Sequence, residues 1–269
     1  PTTAKKEGSG SSIFASLSIV LCLVIAFLLW KFVMGSPSNF EGGDPENGHP
    51  LPGNYFGMVY KGGYVVPVLM GLFLMVIVFS FERFFVISKA AGKGNVDAFV
   101  GKVRGYLSAG NIDAAMAECD KQEGSVANVI KSGLKKYKEV EVDPNLDTEQ
   151  SVLAIQKDIE EATALEMPML EQNLTVIATL VSIGTLMGLL GTVTGMIKAF
   201  AALSSAGTPD QAQLANGISE ALINTATGIA TSALAIIMYN IFTSKIDKLT
   251  YSIDEAGFSI IQTYASTHK

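Results

Sequence analysis

Histidine and cysteine are close to absent from this chain, and their scarcity removes several kinds of chemistry at once. His49 and His268 are the only histidines in 269 residues, too few and too far apart to build a catalytic or metal centre. Cys22 and Cys119 lie in unlike surroundings, which argues against a disulfide scaffold and against a thiolate zinc site. Positive charge is also short. Nineteen Lys+Arg against 25 Asp+Glu give a net charge of −6, which excludes a basic nucleic-acid-binding protein. No phosphate loop of the form GxxxxGK[ST] occurs: the nearest Gly-Lys pair, Gly92-Lys93, is followed by Gly94, so nucleotide hydrolysis has no seat. No Ser-His-Asp or metal-ligand constellation occurs either. The expectation is a non-enzyme with no catalytic residues, no metal and no other cofactor.

Charge of either sign is scarce (16%, against 49% hydrophobic), and it is missing from long stretches of chain. A bilayer's hydrocarbon is about 30 Å thick, so a crossing helix needs roughly 20 apolar residues. Four stretches meet that length: Ile13 to Trp30, continuing through Lys31 to Met34; Gly62 to Phe81, ending at Glu82-Arg83; the charge-free run 173–197; and the charge-free run 221–244. The fold class that follows is all-α, a polytopic membrane protein with four transmembrane helices and a helical domain between the second and third. Lys5 and Lys6 before an apolar run also describe a secretion signal, but such cores are about 7–15 residues long and this one is longer, so a retained anchor is expected.

Lys and Arg gather on the cytoplasmic side of a membrane. Loop 35–63 holds one, Lys61, and is otherwise acidic and turn-rich; loop 204–216 holds none. Arg83, Lys89, Lys93, Lys102 and Arg104 follow the second span, and Lys245 and Lys248 follow the fourth. The expected organisation is a cytoplasmic N-terminus (1–12), an N-terminal span (13–34), an outer loop (35–61), a second span (62–88), a helical cytoplasmic domain (89–172), a third span (173–203), a short outer loop (204–216), a fourth span (217–244) and a cytoplasmic tail (245–269). Within 89–172, Asn95 and Asn111 should cap helices over 96–108 and 112–121, and Ser125 should begin another, to about Tyr137. After the acidic linker Glu139–Asp147, a helix from Glu149 should run toward the third span with Val152, Ile155, Ile159, Ala162, Leu165 and Met169 recurring at helical spacing and Asp158, Glu160, Glu161 and Glu166 on other faces, and Pro168 should kink it rather than end it.

The informative residues lie in the last two spans. Gly184, Gly188, Gly191 and Gly195 make overlapping small-xxx-small spacings that let helices approach closely in lipid. At 100° per residue, Thr175, Thr179, Ser182, Thr185 and Thr192 share an arc of roughly 140°, and Glu220, Asn224, Thr227 and Thr231 share roughly 60°. Thr225 and Ser232 sit about 120–140° from Glu220, on a second face. Two readings stand: a shared polar interior, or threonines bonded to their own helix carbonyls. Glu220 has two readings as well, a functional membrane carboxylate or an interfacial cap at a helix N-terminus. Lys198 is expected to snorkel to the interface. Elsewhere these spans offer hydroxyls and amides, so a proton path would need an acid from another chain.

At Gly188-Leu189-Leu190-Gly191-Thr192-Val193-Thr194-Gly195-Met196 and Gly217-Ile218-Ser219-Glu220-Ala221-Leu222-Ile223-Asn224-Thr225-Ala226-Thr227-Gly228 the chain resembles the MotA/TolQ/ExbB proton-channel family, most nearly its ExbB branch. Residues 64–245 fit that layout, with Glu82-Arg83 closing a span, Cys119 in a helical hairpin and Tyr239-Asn240 near the end of the last span. The resemblance implies a multi-pass protein of a bacterial inner membrane with both termini cytoplasmic. It implies a homopentameric ring around single-span ExbD-like partners, each supplying a membrane aspartate. Proton flow would turn the ring, and a TonB-like protein would carry the work to the outer membrane. By the same resemblance Thr192 is the pore-facing threonine, and Glu220 and Thr225 are its companions on the next span; the shared polar faces add Thr185, Asn224, Thr227 and Thr231 to the expected pore lining, and Gly184, Gly188, Gly191, Gly195 and Gly228 are expected to serve helix packing. Two features depart from the pattern. The helix 13–34 with its loop is an addition, and Thr185 stands where the family often has proline.

Overall fold

The computed structural model describes residues 8–46, 48–204 and 210–268; the expectations for the extreme N-terminus, Asn47, 205–209 and Lys269 lie outside the described residues. The helices are α1 (Gly8–Leu28), α2 (Tyr55–Tyr60), α3 (Val65–Ala91), α4 (Val96–Ser108), α5 (Ile112–Gln122), α6 (Gly124–Glu141), α7 (Thr148–Glu171), α8 (Leu174–Ser204) and α9 (Gln211–Thr267). No strand is formed among the described residues beyond a single bridge between Phe40 and Pro50. Four helical stretches there are long and apolar enough to cross a membrane, in α1, α3, α8 and α9. In hydrocarbon a backbone can bond only to itself, and an unbroken helix does so. The protein is an all-helical, multi-pass membrane protein. It divides into two compact units, one of residues up to Ser80 with Thr175–Tyr239, the other of Phe81–Leu174 with Asn240–Lys269.

In the first unit the buried residues of 14–30, Ser18, Cys22 and Ala26 of α1 and Trp30 just beyond it, form one stripe, each four residues from the next. Leu23 closes on Gly71 of α3, where an added Cβ would stand 2.7 Å from its Cδ2. A π-helical turn, Leu29–Met34, prolongs α1 and ends on Asn39, whose Nδ2 donates to the carbonyls of Val33 and Met34 at 2.8 and 2.9 Å. Those are the carbonyls a helix end leaves without partners. Asn54 donates to Asn39 Oδ1 at 3.0 Å and caps α2 by accepting from Gly57 N at 3.1 Å. The Tyr60 ring stacks on Trp30 with centroids 4.7 Å apart, and Phe40 meets it edge-on. Segment 35–63, acidic and turn-rich in sequence, is thus a folded cap.

The second unit packs α4 to α7 around the last part of α9. Asn95 and Asn111 cap α4 and α5 as their positions foretold. Asp147 and Gln150 form a capping box that starts α7 at Thr148, one residue before the expected Glu149. Ile155 and Ile159 are buried, Ile159 against Gly133 and Gly257, but Leu165 and Met169 of the same apolar repeat are exposed. Leu165 lies roughly 80° around the helix from Ile155, too far to share its contacts. Pro168 sits inside α7, which ends three residues later. The carbonyls of Met169 and Leu170 there each accept from Arg83 Nη1 at 3.0 Å, while Arg83 Nε bonds Glu82 Oε2 at 2.6 Å. Arg83 is 2% exposed, a cation at a helix C-terminus where the backbone dipole favours it.

Cys119 is buried in this unit, and that burial, with Asp120 adding to it and Lys131 opposing, pushes its thiol up to about 12. An ordinary cysteine ionises near about pH 8.5. The folded protein therefore holds this proton more tightly than the unfolded chain, a contribution present below the ordinary value and lost as pH climbs toward the folded one. Iodoacetamide at about pH 8.5 should leave Cys119 unlabelled in the folded protein and label it promptly in denaturant. Equal rates in both states, read by mass spectrometry, would contradict this.

Candidate functional site

The polar residues of the last two spans are brought together, within the first unit, by the contact of α8 with the part of α9 up to Tyr239. An added Cβ on Gly195 would stand 2.6 Å from Ala221 N and 2.7 Å from Gly217 O; on Gly188, 3.0 Å from Gly228 Cα; on Gly228, 2.6 Å from Gly184 O; on Gly217, 2.7 Å from Ala199 N. These are backbone-to-backbone approaches that side chains would prevent. Gly191 meets Asn224 instead, with the amide side chain filling the space a Cβ would need.

Hydroxyls face one another across this contact at two levels. Thr192 Oγ1 bonds Thr225 Oγ1, and Thr225 also donates to Ala221 O at 2.9 Å. Thr185 donates to Ser232 Oγ at 2.9 Å, and Ser232 donates onward to Val181 O at 2.7 Å. Three further hydroxyls bond their own helices: Thr179 to Thr175 O, Thr227 to Ile223 O and Thr231 to Thr227 O, at 2.7 to 2.8 Å. Thr185, Thr192 and Thr225 also bond carbonyls of their own helices, so the bonding to helix carbonyls read from the sequence occurs at every one of these threonines. Thr227 is not brought to Thr192. It lines an apolar groove with Leu29, Met70, Phe73 and Leu74, on the side of α9 facing α1 and α3.

Glu220 lies deep inside α9, whose first residue is Gln211. The interfacial-cap reading therefore fails, because the dipole's influence ends within the first turn. Asp210 holds that place, accepting from Ala212 N and Gln213 N at 3.0 and 3.1 Å. Glu220 is 6% exposed, and both its oxygens accept from Lys198 Nζ of α8, at 2.7 and 2.8 Å. Lys198, expected simply to snorkel, is the partner of this carboxylate, with its side chain 55% exposed. One turn on, Asn224 is fully buried and donates from Nδ2 to Gly62 O at 2.9 Å. Sequence reasoning gave Lys198 no partner and gave Gly62 and Gly63 no role at this site. The available signal was that Lys198 and Glu220 are the only charged residues in 174–204 and 211–244, of opposite sign and on either side of one short loop.

Residues 121–255, half of the chain, match the family model described as the MotA/TolQ/ExbB proton channel family. The chain belongs to that family. It is 27% identical to the Tol-Pal system protein TolQ of Pseudomonas aeruginosa over 159 residues, 59% of this chain and 69% of the relative. It is 32% identical to the biopolymer transport protein ExbB of Salmonella typhimurium over 85 residues, 32% of this chain and 35% of the relative. It is 41% identical to the TolQ of Haemophilus influenzae over 75 residues, 28% of this chain and 33% of the relative. The chain thus spans about two thirds of the length of the first of these relatives and about a third of the other two.

The ion pair predicts a non-additive double-mutant cycle. Removing one partner of a fully buried pair is worth about 3–5 kcal/mol because a charge is left uncompensated. The exposure of Lys198 lowers that here, to on the order of 1–2 kcal/mol. Lys198→Met should lower the thermal midpoint in detergent, and adding Glu220→Gln should recover most of the loss. Additive losses would show that the two charges do not interact.

Proposed function

We propose that this chain is an ExbB-like subunit of a proton-motive-force-driven motor in a bacterial inner membrane, energising transport across the outer membrane. In this reading five copies form a ring around ExbD-like single-span partners, a TonB-like protein couples the ring to its load, and both termini with the second unit lie in the cytoplasm. The observation that carries it is the state of Glu220. The one carboxylate within 174–204 and 211–244 is engaged by Lys198, and the other polar groups that face it along these stretches are hydroxyls and an amide. Such a lining can relay protons to and from an acid but does not supply one, so the acid comes from the partner. Thr192, Thr225 and Thr185 line the path at the two hydroxyl contacts, with Asn224, Thr227 and Thr231 along the adjoining stripe.

A TolQ-like role in envelope maintenance is the second reading, favoured by the 159-residue match to the Pseudomonas aeruginosa TolQ. The partners that co-purify from native membranes, TonB-like or Tol-like, separate the two.

Thr192→Ala removes the hydroxyl facing Thr225 while leaving the glycine contacts in place. In the assembled complex it should lower energised uptake on the order of a hundredfold, the scale of one positioned proton-transfer group. Full uptake by a well-expressed variant would instead fit a passive scaffold. A second measurement addresses the borrowed acid: liposomes containing this chain alone should show little proton flux above empty vesicles. Large currents without a partner would overturn that part of the reading.

A further inference from the structure

We propose that the Gly62–Gly63 turn, presented by the folded cap 35–63, is a positioning element that holds Glu220 against Lys198 and Asn224 against α8. This inference rests on the reading of Glu220 as part of the ion path. The cap lies outside the stretch matched by the family model, so the comparison gives it no role.

Glu220 is enclosed by Lys198 from α8 on one side and by the backbone of Gly63 on the other. An added Cβ at Gly63 would stand 2.8 Å from Glu220 Cδ and 3.3 Å from Oε2, and closer still to Oε1. Gly63 has φ +78°, a conformation that side chains disfavour independently of space. Next to it Gly62 uses its carbonyl to accept from the buried Asn224 amide, and a Cβ there would stand 2.5 Å from Val66 Cγ2. One turn of backbone therefore touches both polar residues at the outer part of α9.

The turn is itself held from outside the polar helices. Gly62 N and Gly63 N donate to Val59 O and Tyr60 O at 3.0 and 3.2 Å, so the end of α2 runs directly into it. Tyr60 is fixed by its stack on Trp30 of the π-helical turn. Met58 and Val59 lie along a groove with Ile218, Leu222 and Ile223 of α9. The additional N-terminal hairpin, from α1 through α2, thereby braces the place where Glu220 is packed.

The test uses a built-in control. Gly53, in the same cap, also has φ +78° but nothing within 4 Å of an added Cβ. Gly63→Ala and Gly53→Ala carry the same backbone penalty, and only the first presses on Glu220. In the purified full complex, carbodiimide modification of Glu220, read by mass spectrometry, reports how firmly the carboxylate is enclosed. Gly63→Ala should raise it on the order of tenfold or more, since an ångström of misplacement in a preorganised site has effects up to a hundredfold. Gly53→Ala should leave it unchanged. If Gly63→Ala fails to accumulate, Gly63→Asn and Gly53→Asn repeat the comparison with a residue that tolerates positive φ. Unchanged modification in the Gly63 variants, or an equal rise in the Gly53 controls, overturns the proposal. Raised modification with energised uptake lost upholds it together with the motor reading. Raised modification with uptake intact upholds the positioning role and removes Glu220 from the ion path.

Discussion

Where Gly184, Gly188 and Gly195 lie against Gly228, Ala221 and Gly217, α8 and α9 meet backbone to backbone, and this contact governs what every polar side chain between them can reach. Lipid offers no hydrophobic gain for bringing two apolar helices together, so close packing and hydrogen bonds must supply the attraction. Glycine supplies the first by letting the axes approach. The short distance then makes the second available, because a threonine hydroxyl can cross to the facing helix only when the backbones nearly touch. The Thr192–Thr225 and Thr185–Ser232 contacts are consequences of the glycine spacing. A larger residue at Gly188 or Gly228 would separate the hydroxyls before it touched them.

The same contact constrains where a charge can sit. An unpaired carboxylate near the middle of a bilayer costs about 2.5–3.5 kcal/mol on insertion scales. The chain places Glu220 where Lys198, its own side chain 55% exposed, can reach across from α8 and engage both oxygens. Attraction is strong for a carboxylate this enclosed, and a cation that is not itself buried within the chain avoids part of the desolvation that makes fully buried pairs unprofitable. The partner is chosen by helix pairing, not by nearness in sequence: the two residues belong to separate helices that meet only because the glycines allow it.

What the sequence disclosed follows from this. The apolar runs, the caps at Asn95 and Asn111 and the glycine spacing are local patterns, and each can be read from residues within a few turns of one another. The pairing of Glu220 with Lys198 is not local, and the true start of α9 at Gln211 moved Glu220 out of the first turn where a capping role was conceivable. The fold of segment 35–63 is not local either: it depends on Asn39 at the end of the π-helical turn and on Tyr60 against Trp30, contacts that an acidic, turn-rich composition does not encode. Likewise Leu165 belongs to an apolar repeat in sequence, yet the repeat drifts off the buried face as α7 turns.

Threonines alone cannot decide between a polar pathway and ordinary helix packing. A buried hydroxyl can always fall back on the carbonyl four residues earlier, as Thr227 and Thr231 do, so its presence in a span places no demand on the rest of the fold. An amide is different, having two donors and an acceptor to satisfy. Asn224, fully buried, obtains its bond from Gly62 O, far away in sequence, and its Oδ1 has no partner among the described residues. An unsatisfied buried acceptor is worth about 1–3 kcal/mol against the fold. A residue needed only for packing would be better replaced by leucine there. Asn224 and Glu220 are the two side chains of this stripe that require other parts of the chain to be arranged around them, and the same turn, Gly62–Gly63, meets both. The hydroxyls are compatible with an ion path and with packing alike, whereas the amide and the carboxylate, one turn apart on α9, depend on Gly62, Gly63 and Lys198 being where they are.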